Sequence, residues 1–500
     1  MPTFYNSQGD TLIPSLRLLA VDLGAESGRA LVGAFDGSTL ILEEAHRFPN
    51  VPVRLHATLY WDFLRLFDEV QNGIRAARAL GDVASLGVDT WGVDFGLIDS
   101  RGRLLANPVH YRDTRTQGML DRALERLTTE TIYATTGIQF IAINTLYQLL
   151  ALVESADPDL SHADHLLMMP DLVNHFLCDS DVVEYTNATT TQCLDASTGQ
   201  WASSMLASLR IPTRLFPDVV PPGTVLGQLR DDIGGRLRVI APGTHDTASA
   251  VAAIPLPSTG GTAFLSSGTW SLLGVERQQP LLTPGARDAN LTNEGGVGGT
   301  IRLLTNVMGL WLMQEARRGS TLSYAELTGL AANATPWTAF VDPDDERFLR
   351  LEPGALPDVV REMCRATGQP APDDQATLVR VLLESLALKY AVVLHQLESA
   401  TGQRIDAVHV VGGGSNNALL CQLTADACGV PVLAGPAEAT ALGNLIVQAM
   451  ALGEVASLAE GRALVARSFP ARRYGPQVDW SAARERFSTL LRAQLQGVSP

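Results

Sequence analysis

The amino-acid sequence predicts an α/β protein built from two domains. Two segments about half the chain apart, residues 21–29 (VDLGAESGR) and 265–271 (LSSGTWS), each have the pattern of a strand followed by a glycine-rich turn. The chain has 500 residues, which is more than one hydrophobic core usually organises. Because apolar runs of strand length alternate with longer amphipathic segments, we expect mixed or parallel sheets covered by helices.

The two turns also indicate a ligand. Glycine lets a turn approach an anion closely, and successive backbone N–H groups bind phosphate oxygens. Two such turns from separate halves of the chain predict a nucleotide whose phosphates are held by both domains.

Each element is predicted from its apolar pattern and from the residues that flank it. The predicted strands are 18–23, 30–34, 83–88, 237–240, 263–266 and 406–411. The predicted helices are 63–80, an alanine-rich helix that starts after 242–247, 308–318, 376–398 and 417–428. Residues 255–261 (PLPSTGG) are a plausible joint between the halves, and the tail after Gly453 is predicted to be helical.

Composition excludes several classes of protein. The chain is 46% hydrophobic and 18% charged with a net charge of −16, so we expect a globular protein that binds neither nucleic acid nor an anionic membrane. Residues 1–16 lack the pattern of an export signal, and no run is apolar for the roughly 18 residues of a membrane span. The five cysteines are scattered, which is typical of reduced, buried thiols in a cytoplasmic protein.

Lysine is nearly absent from the sequence, which contains Lys389 alone. A P-loop needs a lysine directly after its glycine turn, and a Schiff-base enzyme needs one in its pocket. Unless Lys389 serves one of these purposes, both classes are excluded. The chain also lacks the HExxH, GxSxG and GxGxxG patterns, so zincin, α/β-hydrolase and Rossmann dehydrogenase lose their usual signatures.

Ten segments in order along the chain are similar to those of the FGGY carbohydrate kinases, whose fold belongs to the actin-like ATPase superfamily. They cover nearly everything between about residues 18 and 450. The segments are 21–29 (VDLGAESGR), 87–95 (GVDTWGVDF), 111–116 (YRDTRT), 137–149 (GIQFIAINTLYQL), 184–192 (EYTNATTTQ), 245–250 (HDTASA), 265–272 (LSSGTWSL), 292–296 (TNEGG), 306–314 (NVMGLWLMQ) and 411–420 (VGGGSNNALL).

The resemblance implies two actin-like (ribonuclease H-like) α/β domains with an active-site cleft between them. The expected organisation is an N-terminal extension (1–16), an N-terminal domain (17–255), a C-terminal domain (256–455) and a helical tail (456–500). The implied reaction transfers the γ-phosphoryl group of ATP, with Mg²⁺, to the 1-hydroxyl of L-rhamnulose. The alternatives are a kinase for another ketose such as L-fuculose, or a non-catalytic ATP-binding protein of the actin superfamily. We expect a cytoplasmic monomer or homodimer.

The resemblance also implies roles for individual residues. Phosphoryl transfer to a hydroxyl needs in-line positioning, neutralised charge and a carboxylate that accepts the proton. Asp246 is the expected base, although its local sequence fits a helix cap equally well. Asp22 is expected to hold Mg²⁺ through water, although a lone aspartate there is most often a turn residue. The expected ATP contacts are Ala25, Glu26, Ser27, Gly28, Arg29, Thr269, Gln314 and Gly413. The expected sugar contacts are Gly92, His245, Asp246, Thr247 and Asn306.

Several of these segments have a purely structural alternative. The 267–269 turn also fits a tight hairpin with capping hydroxyls, and three glycines at 412–414 are common without a ligand. Trp91, Asp89 and Asp94 suit a polyol, but they equally fit a core tryptophan beside solvated carboxylates. The Glu26 carboxylate would repel phosphate, so we expect it to point away from the phosphates or toward the metal.

Overall fold

The computed structural model of the chain describes residues 16–256, 261–349 and 351–495. The predicted N-terminal extension lies outside the described residues except for Leu16, and so do residues 257–260 of the predicted joint. No helix in the described ranges is long and apolar enough to cross a membrane.

The strands are numbered here in chain order. They are β1 (Leu16–Leu23), β2 (Ser27–Phe35), β3 (Leu40–Pro49), β4 (Val53–Leu55), β5 (Thr58–Tyr60), β6 (Ser85–Thr90), β7 (Phe95–Asp99), β8 (Ala163–Met168), β9 (Val183–Glu184), β10 (Leu194–Asp195), β11 (Gln200–Trp201), β12 (Val219–Val220), β13 (Val225–Gln228), β14 (Arg238–Ile240), β15 (Thr262–Ser267), β16 (Trp270–Arg277), β17 (Thr292–Gly295), β18 (Ile301–Met308), β19 (Ala407–Val411), β20 (Val432–Ala434) and β21 (Arg472–Tyr474).

The helices are numbered in the same way. They are α1 (Phe63–Ala79), α2 (Met119–Leu124), α3 (Thr129–Thr136), α4 (Thr145–Glu154), α5 (Asp159–His162), α6 (Met169–Cys178), α7 (Tyr185–Ala188), α8 (Ser203–Ser208), α9 (Asp246–Ala252), α10 (Pro284–Asp288), α11 (Trp311–Arg317), α12 (Tyr324–Asn333), α13 (Glu346–Leu349), α14 (Leu356–Ala366), α15 (Gln375–Thr401), α16 (Ala418–Cys428), α17 (Ala439–Ala451), α18 (Leu458–Ser468) and α19 (Ser481–Leu495).

The described residues form two compact units. The first unit contains the described residues up to 255 together with Glu276–Leu303 and Ala439–Phe469. The second contains the described residues of 256–275, Leu304–Glu438 and the described residues from 470 onward. Helix α17 therefore groups with the N-terminal residues although it lies late in the sequence.

A six-stranded sheet forms the centre of the first unit, with the strand order β13-β14-β6-β1-β2-β3. Strands β14, β6 and β1 run parallel, and β1 forms an antiparallel hairpin with β2. Helix α17 covers one face, where Leu445 packs with Leu18, Ala20 and Leu31 in a buried apolar cluster. The carboxyl ends of the parallel strands therefore meet at one edge of the sheet, where ligand sites of such sheets usually lie.

The sheet of the second unit repeats this arrangement. Its strands follow the order β18-β16-β15-β19-β20-β21. Strand β15 forms an antiparallel hairpin with β16 and pairs in parallel with β19, as β1 does with β2 and β6. The two strand-and-turn segments that predicted the fold class are thus equivalent hairpins in two similar sheets.

Two predicted elements differ from the structure. The predicted helix 308–318 is wrong at its start, because Met308 still belongs to β18 and α11 begins at Trp311. Gly309 marks the change, since a Cβ there would lie 2.5 Å from the Trp270 carbonyl carbon. The tail after Gly453 is helical except for β21, which pairs with β20. Arg472 and Arg473 in β21 are exposed, and such a charged edge strand has no apolar alternation to reveal it.

Helices α9 and α17 approach each other at a glycine. A Cβ on Gly443 would lie 1.7 Å from the Ser249 carbonyl oxygen. Because that oxygen belongs to the helix backbone, it cannot rotate away as a side chain would.

We expect Gly443→Ala to lower the free energy of unfolding by about 2–3 kcal/mol, because overpacking must push the two helices apart. The control is Gly329→Ala in α12, where a Cβ would meet no atom within 4 Å and where alanine stabilises a helix by about 0.5–1 kcal/mol. Thermal unfolding measures both effects. Equal melting temperatures for the two variants would contradict the close packing.

Candidate active site

Two aspartates lie side by side at the carboxyl ends of β1 and β6. Asp22 and Asp89 are partners in the parallel register of these strands, and their residues are only 3% and 0% exposed. Arg29, which faces Asp22 across the β1–β2 hairpin, donates a hydrogen bond of 2.6 Å to its carboxylate. One of the two adjacent carboxylates is therefore paired with a cation.

Asp89 has a different set of partners. Asn444 on α17 donates a hydrogen bond of 2.6 Å to Oδ2, whereas Oδ1 is buried without a hydrogen-bond partner among the described residues. Burial raises the pKa of Asp89 well above its usual range, and the nearby Asp22 carboxylate raises it further. The Asn444 hydrogen bond opposes this shift in the pKa, and Asp246 adds to it.

Asp246 joins these carboxylates from the next segment of the sheet. Beyond β14 the chain returns to β6, where the Thr90 N–H donates to the Thr244 carbonyl at 2.9 Å. Asp246 then begins α9, with its side chain 31% exposed. Burial raises its pKa, the neighbouring His245 imidazole lowers it, and the Asp22 carboxylate raises it again. Asp22 and Asp246 are therefore both close enough to Asp89 to raise its pKa.

The hydrogen bonds of the Asp246 carboxylate bear on the alternative that it is a helix cap. Within the described residues they run only to the Thr247 N–H (2.6 Å) and the Thr247 hydroxyl (3.1 Å). His245 is the residue at the N-cap position of α9, and its side chain makes no capping bond. A side-chain cap would accept from the second or third N–H of the helix, so the carboxylate does not have the usual capping geometry.

A buried glutamate fixes the turn that presents Asp246. Glu184 is fully buried and accepts four hydrogen bonds, two from Thr186 and two from Thr244. The Thr186 hydroxyl in turn accepts from the His245 N–H at 3.1 Å. Burial raises the pKa of Glu184, and these hydrogen bonds oppose the rise.

A buried ion pair holds the ring of His245. Arg302 is 0% exposed and donates to His245 Nδ1 at 3.1 Å and to the Gly295 carbonyl at 2.8 Å. Its guanidinium also lies 3.2 Å from the Glu294 carboxylate. Because arginine only donates, Nδ1 is the acceptor nitrogen, and the proton of a neutral ring lies on Nε2. That nitrogen is 3.4 Å from Asp246 Oδ1.

The GVDTWGVDF segment is mainly structural in its second half. Asp94 is fully buried and accepts hydrogen bonds from Trp61, Trp91, Gln148 and the backbone N–H of Tyr111. Burial raises its pKa to about 6, against the effect of these bonds. Trp91 is a core residue, as the structural alternative predicts. Asp89 and Asp94 are buried, however, whereas that alternative predicts solvated carboxylates.

Gly92 and Val93 form a strained turn between these residues. A Cβ on Gly92 would lie 2.9 Å from the Thr190 side chain, and Val93 has a φ of +68°. This conformation is costly for a β-branched residue. The hydroxyl of Thr190 accepts from the Val93 N–H, and the hydroxyl of Thr145 donates to the Val93 carbonyl. The turn is therefore held by its neighbours.

The predicted ATP contacts at residues 25–28 lie in the first unit, in the turn from β1 to β2 and the start of β2, whereas Thr269, Asn306, Gln314 and Gly413 lie in the second unit. Thr269 is in the β15–β16 turn, where its carbonyl accepts from the Gly309 N–H at 3.2 Å. Asn306 lies in β18 and Gln314 in α11. Oε1 of Gln314 is buried without a hydrogen-bond partner among the residues that the structure describes.

The three glycines after β19 have different environments. A Cβ on Gly414 would lie 2.0 Å from the Ser267 hydroxyl, and Gly412 has a φ of +78°, so the packing against β15 requires both. Gly413 is exposed, and a Cβ there would meet no atom within 4 Å. Gly413 is therefore the one of the three whose face is open.

The single lysine is committed elsewhere in the second unit. Lys389 Nζ lies 2.9 Å from Asp342 Oδ1 and 2.9 Å from Asp344 Oδ2. Its ammonium group is therefore neutralised by two carboxylates, which removes the remaining support for a P-loop or Schiff-base lysine.

The family models decide the classification. The N-terminal domain model of the FGGY family of carbohydrate kinases matches residues 17–252, and its C-terminal domain model matches residues 263–452. The chain belongs to the FGGY family of carbohydrate kinases. A rhamnulokinase from Bacteroides thetaiotaomicron is 42% identical over 483 residues, which cover 95% of this chain and 99% of the relative. One from Pectobacterium carotovorum is 43% identical over 479 residues, which cover 95% and 96%.

Solved structures confirm the fold of this sugar kinase. A xylulose kinase from Lactobacillus acidophilus has a TM-score of 0.74 at 17% identity, covering 96% of this chain and 97% of that one. A glycerol kinase from Plasmodium falciparum with ADP has a TM-score of 0.72 at 14% identity, covering 96% and 98%. The predicted α/β, two-domain, actin-like fold is confirmed, as is the prediction of a carbohydrate kinase, which takes a sugar and ATP.

Sequence reasoning missed some of the residues that build this kinase's site. Asn444 and Gln448 are two amides one helical turn apart in the otherwise apolar helix α17, and this pattern was a signal for buried polar contacts. Glu184 and Glu294 lie inside the segments that carry the family resemblance, but nothing local marks them as buried. Arg302 gives no local signal, because an arginine in a strand is usually exposed and its partner His245 lies 57 residues away in the sequence.

We expect Glu184→Gln to lower the free energy of unfolding by about 1–3 kcal/mol, the cost of an unsatisfied buried donor. Each oxygen of Glu184 accepts one backbone N–H, from Thr186 or from Thr244. In either orientation, the glutamine amide nitrogen therefore faces a donor.

The matched control is Glu326→Gln. Glu326 also accepts from a hydroxyl and a backbone N–H, both of Ser323, but it uses one oxygen and is exposed. This change should cost under about 0.5 kcal/mol, as is usual for surface substitutions. If chemical denaturation gives the two variants the same loss, the Glu184 network does not hold the turn.

Proposed function

We propose that this kinase transfers the γ-phosphoryl group of ATP to the 1-hydroxyl of L-rhamnulose, as a cytoplasmic enzyme of rhamnose catabolism. The observation that carries the proposal is the match to curated rhamnulokinases at 42–43% identity over 95% of the chain. The buried carboxylates of the first unit supply a chemical basis for it.

Asp246 is the proposed general base. Its carboxylate is partly exposed and lies 3.4 Å from His245 Nε2. The raised pKa makes it a better proton acceptor than a solvated aspartate, since basicity near the working pH favours general-base catalysis. The base accepts the proton of the sugar hydroxyl as the oxygen attacks phosphorus.

His245, Thr247 and Gly92 are the proposed sugar contacts in the first unit. Because Arg302 occupies Nδ1, a neutral His245 presents an Nε2–H donor toward Asp246, and a sugar hydroxyl there would accept it. Gly92 is half-buried, and a Cβ there would lie 2.9 Å from the Thr190 side chain. In the second unit we propose Asn306 as a further sugar contact.

The three carboxylates fit a divalent cation. Asp89 Oδ1 is buried without a hydrogen-bond donor among the described residues, and the neighbouring carboxylates disfavour its charged form. Mg²⁺ prefers carboxylate oxygens and keeps several waters. We propose that Asp22 holds Mg²⁺ through water. The ion would neutralise charge on the ATP phosphates.

Residues 25–29 are the proposed phosphate loop of the first unit. The loop is fixed by Asn50, whose N–H donates to the Glu26 carbonyl at 2.8 Å and whose side chain donates to the Gly24 carbonyl at 2.9 Å. Both carbonyls are thereby occupied. We propose that Ala25, Glu26, Ser27, Gly28 and Arg29 contact ATP. Glu26 is exposed, in keeping with a side chain directed away from phosphate.

Three residues of the second unit are proposed ATP contacts. The orphaned Oε1 of Gln314 is suited to an N–H donor such as the adenine amino group. Gly413 has the open face that a flat base needs. Thr269 would contact phosphate from the β15–β16 turn. The predicted monomer or homodimer stays a prediction.

A coupled assay of ADP release across a panel of ketoses tests the substrate. We expect L-rhamnulose to give the highest kcat/KM, well above L-fuculose, L-ribulose and D-xylulose. A hydroxyl contact distinguishes sugars by only a few kcal/mol, so the ranking decides, and weak activity with other ketoses does not count against the proposal. A higher kcat/KM for L-fuculose would replace the substrate but keep the reaction class.

Asp246→Asn should lower kcat by about 10²–10⁴ while ATP binding stays nearly unchanged, because asparagine keeps the size of the side chain but cannot take the proton. The control is Asp374→Asn. Asp374 caps α15 by accepting from the Thr377 N–H, and asparagine caps a helix equally well. If Asp246→Asn keeps near-normal turnover, Asp246 is not the base.

The pH dependence tests the coupling between the carboxylates. The base must be ionised, so kcat/KM should rise with pH through a midpoint above the ordinary aspartate range, because burial raises the pKa of Asp246. Asp22→Asn removes a negative neighbour and therefore lowers that pKa, so the midpoint should move to lower pH, whatever the change in maximal rate. An unchanged midpoint would show that Asp22 and Asp246 do not interact.

A further inference from the structure

Two histidines and an aspartate of the first unit, none of them among the proposed active-site residues, bring their ligand atoms together. His165 lies in β8, His175 in the last turn of α6, and Asp181 in the segment after that helix. One ligand atom from each residue lies within 4.8 Å of the other two. His175 is buried, His165 is half-buried and Asp181 is 57% exposed.

The hydrogen bond on the far side of His175 fixes its tautomer. Nε2 of His175 lies 3.0 Å from the Gly102 carbonyl, which can only accept, so Nε2 carries the proton. In a neutral ring, Nδ1 then has no proton and carries a lone pair. This nitrogen lies 2.7 Å from Asp181 Oδ1. Two acceptor atoms at this distance need a positive charge between them. That charge is either an extra proton on His175 or a metal cation.

His165 presents a second lone pair to the same oxygen. Its Nδ1 lies 3.1 Å from the Asp164 carboxylate, to which the N–H donates. The remaining nitrogen, Nε2, is shielded from solvent and has no hydrogen-bond partner among the described residues, although it lies 3.4 Å from Asp181 Oδ1. A proton shared by His175 and Asp181 would leave Nε2 unsatisfied, whereas a metal ion would bind all three atoms.

We propose that His165, His175 and Asp181 bind a divalent transition-metal cation of the borderline class, with Zn²⁺ as its representative. Two imidazoles and one carboxylate are a usual ligand set for such ions and a poor one for Mg²⁺ or Ca²⁺. Both rings donate their other N–H to a carboxylate or a carbonyl, as metal-bound histidines almost always do.

Two of the three distances between the ligand atoms can be compared with this assignment. Ligands of a tetrahedral Zn²⁺ at about 2.0–2.1 Å are about 3.3–3.4 Å apart. The 3.4 Å between His165 and Asp181 already matches. The pair of His175 and Asp181 must open from 2.7 Å, and the exposed Asp181 side chain is free to make this small movement. Water would complete the coordination.

The metal would have a structural role. It would join β8, the end of α6 and, through the His175 hydrogen bond, the turn at Gly102. It is separate from Mg²⁺ at the proposed active site, because the ligands differ in chemistry as well as in position along the chain.

The test is a titration of the full-length, untagged, chelator-treated protein with Co²⁺ in excess Mg²⁺. Mg²⁺ occupies carboxylate sites but does not compete for imidazole. We expect one Co²⁺ per chain with an intense visible absorption band, the signature of tetrahedral nitrogen ligation. Zn²⁺ should displace it and raise the melting temperature, since a ligand of the folded state stabilises that state.

Asp181→Asn and His165→Asn should each weaken Co²⁺ binding at least about tenfold and remove the band. Both positions are at least partly exposed, so the variants should fold, and equal melting temperatures in chelator would show it. The matched control is His46→Gln: His46 Nε2 lies 2.7 Å from Glu69 Oε2, but no second histidine joins that pair among the described residues. This variant should bind Co²⁺ as the parent does.

Two results would overturn the proposal. If the parent protein gives no tetrahedral band, the group is an ion pair with a protonated His175. If Asp181→Asn and His165→Asn bind Co²⁺ as tightly as the parent, the ion lies elsewhere.

Discussion

Mutual repulsion of Asp22, Asp89 and Asp246 is the constraint on which the first unit's site depends. Parallel strand order places the first two in register and the third at the next segment of the same edge. Arg29 pairs with the Asp22 carboxylate, and Asn444 donates a hydrogen bond to the Asp89 carboxylate. What remains unsatisfied is a buried oxygen of Asp89. Under the proposed function this oxygen would face a cation and Asp246 would accept a proton, which are the two things that phosphoryl transfer to a hydroxyl requires.

Keeping three acidic groups together requires a rigid support. The turn before α9 is held by Glu184 through two threonines, and the His245 ring is held by the buried pair of Arg302 and Glu294. Buried ionic groups rarely add net stability, because desolvation offsets their attraction. Their value here is positional: they fix a histidine tautomer and the direction of one carboxylate.

The sequence predicts much of this protein, and the reason differs between its parts. Strands β1, β6 and β19 were predictable because buried parallel strands are nearly continuous apolar runs, and a glycine or an aspartate lies at or next to the end of each. The end of β18 was not predictable, because it lies next to Gly309 inside an apolar segment that fits a strand or a helix equally well. The partners of Asn444 and Arg302 could not be predicted, because their contacts are set by the packing of α17 and β18. Local sequence patterns indicate local structure, whereas these two side chains contact residues of other elements.

The distribution of positive charge connects the composition to the chemistry. The single lysine is neutralised by Asp342 and Asp344 in the second unit, and Arg29 of the proposed phosphate loop is already paired with Asp22. Under the proposed function, a nucleoside triphosphate at the first unit's site would meet three carboxylates, of which Arg29 pairs with one. A bound Mg²⁺ would offset this repulsion, so the proposed dependence on the metal would follow from the charge of the protein as well as from the charge of the phosphates.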